Sequence, residues 1–411
     1  MVRYGIRSDP YPNGGIMSAW LSILQGVTLL PVAAGTLYAG LSVFTFRRFH
    51  IRAAKQTSVS DRPWPAVTIL KPVCGLEKNL EINLTSACTQ DYPDFQVIFS
   101  VHDSDDAALP ILKKIKDKFP DRTSLAIADH RFGPNRKINN LTAALSMARN
   151  PCIVISDSDI RLKPDYLKQI IAPLSDPQVA FACTLYKAVS ADRWFEKLEA
   201  LTLNADFVPS VVFAYMTGAS PFCLGASVAF RKEDLYKTGG FEALAGYLAE
   251  DYELGRRLLK IRKRIILLPE AVDTVVDLKD FSQWWTHQVT WDQKTRAAQP
   301  SGFMATLLTR LVPFAILFFL LRKGDETGLT ILVAALFIRM ITVAANVSWG
   351  LKSAIGWKEL LLLPVRDIAA FFSWGIAMVK GTVNWRGIDY RLRRDGHLED
   401  FDQARESCDE I

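Results

Sequence analysis

Asp157, Ser158 and Asp159 stand directly after an apolar run, Cys152-Ile153-Val154-Ile155-Ser156. Such a run reads as a buried strand of a parallel sheet, and ligand sites in open α/β sheets lie just beyond the carboxyl ends of these strands. Two carboxylates two residues apart at a strand end can share one hard divalent cation, which prefers oxygen ligands and commonly bridges substrate phosphates. A solvated turn would also use Asp and Ser, so the pair takes its meaning from its surroundings. Hydrophobic segments of membrane-spanning length enclose the region on both sides. Together these features point to a phosphate-handling enzyme held at a membrane.

Other residues extend the constellation. Asp103 follows a second candidate strand, residues 95–101, where a carboxylate can accept a hydrogen bond from a base or ribose. Glu250-Asp251 opens a helical stretch whose later part carries Arg256 and Arg257; acids at a helix start and bases at its end are also favoured by the helix dipole alone. Gly239-Gly240-Phe241 breaks the chain upstream, and a tryptophan-rich stretch, residues 281–296, follows downstream. There Trp284, Gln288 and Trp291 fall at i, i+4 and i+7, so they can face one groove. The same stretch suits an aromatic belt at a membrane surface. Lys137, within the Asn135 to Asn140 loop, is a candidate phosphate contact or a solvated lysine at a helix start.

The elements that must position these residues alternate. Strands are expected at 66–70, 95–101 and 152–156, with helices at 76–89, 107–119 and 138–148. This order predicts a doubly wound α/β sheet with right-handed crossovers. Residues 16–46 are nearly free of charge and are followed by Arg47, Arg48, His50 and Arg52. They read as an uncleaved anchor that leaves the next domain in the cytoplasm. Residues 303–321 and 329–351 read as two further spans. Residues 360–379 contain Pro364, Arg366 and Asp367 and read as a span, a re-entrant piece or an interfacial helix. The arginines of the tail, Arg386, Arg391, Arg393 and Arg394, favour the interfacial option. The expected organisation is an anchor and linker at 1–62, a catalytic domain at 63–300, membrane segments at 301–380 and a cytoplasmic tail at 381–411.

Composition narrows the class. Hydrophobic residues make up 49% of the chain and the mean hydropathy is +0.11, which excludes a disordered chain. The net charge of +6 is modest for 411 residues. It suits an anionic leaflet or a small anionic substrate, and no nucleic-acid-binding signature accompanies it. The six cysteines are scattered without a Cys-x-x-Cys pair, Cys408 being the last, and read as reduced packing residues.

From about residue 67 to 398 the sequence resembles the inverting glycosyltransferases that include ceramide glucosyltransferase and the bacterial hopanoid-pathway glycosyltransferases. The carrying segments are residues 68–75, Asn83-Leu84, residues 90–93, residues 102–106, residues 135–141, Asp157-Ser158-Asp159, residues 249–252, and Trp385-Arg386-Gly387 with residues 390–393. Each is short; their joint order and spacing is specific. The resemblance implies an α/β fold of the glycosyltransferase A type, a nucleotide-binding domain with N- and C-terminal membrane helices. It further implies that Asp103 contacts the nucleoside, that Asp157 and Asp159 hold Mg²⁺ or Mn²⁺ and the diphosphate, and that Asp251 is the catalytic base. The partners it implies are a UDP-sugar donor, a membrane lipid acceptor such as ceramide or a hopanoid, and the lipid bilayer, in a bacterial inner membrane. The family's last motif is Gln or Arg, two variable residues, Arg, then Trp. Here it reads His287-Gln288-Val289-Thr290-Trp291, so His287 and Thr290 depart from the pattern while Trp291 keeps it. Trp284, His287, Thr290 and Trp291 form the expected acceptor side, with Lys294 and Arg296 near enough to replace the missing arginine charge. A processive polysaccharide synthase would share the fold and the aspartates, but it needs that arginine and more spans. A catalytically silent membrane scaffold is the reading from another class.

Overall fold

The computed structural model describes residues 13–56, 63–219, 223–385, 388–393 and 395–400. Arg386, Gly387, Arg394, Cys408, the linker residues 57–62 and the end of the tail, 401–411, lie outside the described residues.

Eight strands form the central sheet: β1 (Val67–Pro72), β2 (Phe95–Val101), β3 (Thr123–Ile127), β4 (Cys152–Ser156), β5 (Ile160–Arg161), β6 (Val179–Val189), β7 (Ser227–Arg231) and β8 (Arg264–Val275). Their order is β3-β2-β1-β4-β7-β6-β8-β5. Every residue of β1, β2 and β4 is buried, as continuous β-branched and aliphatic runs require when both faces are covered. The period of two divides them between two cores. Ile69, Val97 and Val154 enter one, whereas Leu70, Ile98 and Ile153 enter the other.

β3, β2, β1 and β4 pair in parallel, as the alternating pattern predicts. The other half of the sheet corrects the doubly wound expectation. β7 runs antiparallel to both β4 and β6, and β5 runs antiparallel to β8. The reason is the connection after β6: its helices leave and rejoin the sheet at one edge, so β7 must run back. That edge is the one carrying the carboxyl ends of β1 and β4.

Residues 13–56 form one helix that continues through Pro31. Among the described residues two helices are long and apolar enough to cross a membrane, Ala19–Ala54 and Glu326–Gly350. The segment expected as a span at 303–321 is bent. Pro300–Thr309 and Leu311–Leu321 meet at 52°, with Arg310 at the break reaching Asp292 at 4.0 Å. The Leu363–Val379 helix starts with Pro364 in its first turn, where a missing N–H costs nothing. Its Arg366 and Asp367 are buried and paired. Arg366 contacts Asp206 at 2.6 Å, and Arg339 meets Asp367 at 2.8 Å and Asp206 at 3.1 Å. The pair that would be costly in hydrocarbon is thus satisfied within the protein.

The C-terminal region is a docked antiparallel ribbon, β9 (Thr382–Trp385), β10 (Ile388–Leu392) and β11 (Leu398–Asp400). Leu248 donates to the Gly396 carbonyl and Leu398 to that of Gly246, so the ribbon braces the loop ahead of Glu250. Gln293 bonds the carbonyls of Lys380 and Thr382, which ties the ribbon to the tryptophan-rich helix.

Candidate active site

Asp157 and Asp159 occupy the turn between β4 and β5, at the carboxyl edge of the sheet. The turn is fixed from several sides. Asp157 N–H donates to Ala226, which leads into β7, and Ile160 N–H returns to Asp157. The fully buried Lys71 donates to the carbonyls of both Asp157 and Ile160 at 2.8 Å. Burial pushes the Lys71 ammonium down to about 8, against the pull of Asp159 and Asp157. Asp159 accepts from the Thr274 hydroxyl; burial and then the neighbouring Asp157 charge raise its carboxyl. A half-buried carboxylate raised in this way beside a second one is a donor pair suited to a hard divalent cation, which would relieve both penalties. Among the described residues no group of three or more His, Cys, Asp or Glu could hold a metal. Two carboxylates fall short of the roughly six or more oxygens such a cation takes, so a cation held by Asp157 and Asp159 would need substrate oxygens or water to complete its shell.

The Arg136–Ser146 helix aims Lys137 at the same turn. Asn135 caps it by accepting from Ile138 N–H, and the Asn135 amide also reaches the Tyr247 carbonyl. Asn140 bonds the carbonyls of Val73 and Ser100, locking the helix to the ends of β1 and β2. Lys137 Nζ lies 2.6 Å from Asp157 Oδ1 and 3.7 Å from Glu250 Oε1. Burial alone would lower this ammonium, but Asp157 and Glu250 hold it above its ordinary value.

Asp251 starts the Glu250–Ile261 helix. It packs on Gly225, where an added Cβ would come within 2.6 Å of the Asp251 Cβ, so only glycine lets this backbone approach. Lys294 Nζ sits 3.3 Å from Asp251 Oδ1 and 3.5 Å from Glu250 Oε2. Burial would raise the Asp251 carboxyl, but Lys294 and then Lys137 bring it below the usual range. Asp157, Lys137, Glu250, Lys294 and Asp251 thus form one alternating ladder of charge.

The Phe281–Ala298 helix supplies the remaining wall. The Trp291 ring is tilted against its neighbours, 5.3 Å from Phe207 and 5.1 Å from His287, and Phe207 lies 5.3 Å from Tyr186. Burial and then the charges of Asp251, Asp157 and Asp159 drive the Tyr186 hydroxyl well above its ordinary value. Thr290 is half-buried on the same helix. Trp284 is 1% exposed and sits in a hydrophobic cluster with Phe195 and Leu278. Of the two cations considered as replacements for the arginine, Lys294 enters the ladder. Arg296 turns to the carbonyls of Met378 and Lys380. Asp103, following β2, is half-exposed with Arg136 at 4.0 Å.

Sequence reasoning did not single out Lys71 or Glu199, nor Glu250 as the hub of two lysines. A lysine inside an otherwise apolar strand was the available signal for Lys71. Glu199 carried none, because its partner His287 is 88 residues away.

The profile of glycosyl transferase family 21 matches residues 27–398. Ceramide glucosyltransferase 3 of Caenorhabditis elegans is 30% identical over 96% of this chain and 88% of its own length. An N-acetylglucosaminyltransferase of Rhizobium leguminosarum bv. viciae is 24% identical over 79% of this chain and 77% of its own. Among solved structures, the mannosyltransferase PcManGT from Pyrobaculum calidifontis, in complex with GDP-Man and Mn2+, is similar at a TM-score of 0.48 and 17% identity, over 85% of this chain and 99% of that one. Since the family match runs from the N-terminal apolar helix through the carboxylate ladder to the C-terminal ribbon, the chain belongs to glycosyl transferase family 21 and is a hexosyltransferase.

Proposed function

We propose that this chain is a membrane-held inverting glycosyltransferase that moves a sugar from a UDP-sugar to a hydroxyl of a membrane lipid, on the cytoplasmic face of a bacterial inner membrane. Residues 63–300 are its catalytic domain. The observation that carries the reading is the charge ladder, which sets an ionised Asp251 at one end and the Asp157 turn at the other. The aromatic wall leads from there toward the apolar C-terminal helices. The C. elegans relative is by name a ceramide glucosyltransferase, which supports a lipid acceptor.

Inversion needs a base on one face of the anomeric carbon and a stabilised leaving group on the other. Asp251 takes the proton of the lipid hydroxyl as its oxygen bonds the anomeric carbon. The bond to the diphosphate oxygen breaks on the opposite side. Lys137 faces that departing charge, and Asp103 contacts the nucleoside. A Mg²⁺ or Mn²⁺ ion held by Asp157 and Asp159 would neutralise charge on the diphosphate.

The test is transfer itself. The purified protein, reconstituted in lipid, is supplied with UDP-sugars and with ceramide, a hopanoid polyol or diacylglycerol, and products are read by mass spectrometry and anomeric NMR. A lipid product of inverted configuration is expected. UDP-sugar binding without turnover on any lipid would overturn the reading in favour of a silent scaffold, and a growing polymer in favour of a processive synthase.

A further inference from the structure

His287 does not stand alone on its helix. Its Nδ1 lies 3.1 Å from Oε1 of Glu199, a carboxylate on the Trp194–Leu201 helix with 5% side-chain exposure. The other oxygen of Glu199 accepts from Gln288 Nε2 at 2.7 Å, and Gln288 Oε1 accepts from Thr202 at 3.1 Å. Arg366 donates to the same Thr202 hydroxyl. Glu199 is thereby held from two sides and cannot turn away from the imidazole. Nδ1 is buried and has the Glu199 contact without a hydrogen bond of good geometry, and the His287 side chain is 40% exposed, so its exposed surface is the part of the ring away from Nδ1. The ring lies beside that of Trp291.

We propose that Glu199 is a positioning residue that holds His287 as a cationic hydrogen-bond donor, Nε2–H, to an oxygen of the lipid acceptor's headgroup. The inference rests on the lipid-acceptor reading above and adds to it a dependence on pH confined to acceptor recognition.

The charged groups facing the imidazole are Glu199 from the packed helix, Asp159 from the β4–β5 turn and Lys294 from its own helix. Asp206 and Arg366 stand behind Thr202. Burial would lower the imidazole, but Glu199 dominates among these groups and the imidazole is held above its ordinary value. The sign follows directly. A raised value keeps the ring cationic to higher pH, and the donor is lost as pH rises through it.

The experiment measures the Michaelis constant for the lipid against pH at saturating UDP-sugar, alongside slow hydrolysis of the donor by water. In the wild type the lipid constant should rise by about tenfold or more across the alkaline limb, the usual loss for a hydrogen bond to a charged group. Hydrolysis should show no such limb. Glu199→Gln should move the limb to lower pH, because the imidazole loses its carboxylate. His287→Arg, a donor at every pH, should flatten it. A limb unchanged in both variants would overturn the proposal, as would one shared equally with donor hydrolysis. Wild-type protein that hydrolyses donor but glycosylates no lipid would sink the lipid-acceptor reading instead, which separates the two failures.

Discussion

Replacing Lys294 with glutamine should move the acidic limb of catalysis upward. The ammonium lies 3.3 Å from Asp251 Oδ1. Two unit charges at that distance attract by about 1.3 kcal/mol in a water-like dielectric and by about 5 kcal/mol at an effective dielectric near 20. A cation beside a carboxylate lowers its pKa, so removing the cation raises it. The two side chains are 30% and 22% exposed, so screening weakens this attraction toward its water-like end. In the wild type Lys294 and Lys137 overcome burial and keep Asp251 ionised well below neutrality. Without Lys294 burial gains ground, the base protonates at higher pH, and activity falls away at the acidic end of the range. The assay is kcat/KM for the lipid between about pH 4.5 and 8, where the limb reports the free enzyme's base. Arg296→Gln serves as the control, since Arg296 bonds the Met378 and Lys380 carbonyls near the ribbon. An acidic limb at the same pH in Lys294→Gln and wild type would refute the assignment of Asp251 as a base tuned by this lysine.

Other outcomes follow from the same geometry. Asp251→Asn keeps the size of the side chain but accepts no proton, so kcat should drop by about a hundredfold or more while UDP-sugar affinity, read by calorimetry, stays near wild type; a loss below about tenfold moves the base elsewhere. Chelation should abolish turnover, and Asp159→Ala should weaken Mn²⁺-dependent donor binding more than lipid binding; full activity in excess EDTA would refute the cation site. Trp291→Ala should raise the Michaelis constant for the lipid and spare donor hydrolysis; equal losses of both would put Trp291 on the donor side. Arg366→Met leaves Asp206 and Asp367 short of a partner. Breaking a buried pair costs about 3–5 kcal/mol, so the melting temperature in detergent should fall by several degrees, and an unchanged value would show that the cluster carries no such load.

Local pattern made the carboxylate turn and its strand legible. Cys152 to Ser156 is apolar without interruption because β4 is covered on both faces, and strand periodicity delivers Asp157 and Asp159 to its end whatever surrounds them. The bounds of β2 follow from the same cause. Hydropathy likewise marked the long N-terminal helix and the Glu326–Gly350 helix, since length and apolarity are properties of one segment. The direction of β7 was not legible, because it depends on which edge of the sheet the preceding helices rejoin. Nor was the break at Arg310, which is tied to Asp292 of another helix.

The chemistry of the site lies further from the sequence still. Spacing alone could offer Asp251 as a residue at a helix start, but its ionisation depends on Lys294 and Lys137, each from a different element. Glu199 bears on His287 only because two helices 88 residues apart pack together. Arg366 and Asp367, ambiguous in the chain, are resolved by Arg339 and Asp206. What the sequence determined is what periodicity and hydropathy encode within a few turns of chain: which stretches are strands, which are apolar helices, and which residues stand at their ends. Only the tertiary structure decided which charges meet, because Coulombic coupling falls with distance in space and takes no account of separation along the chain.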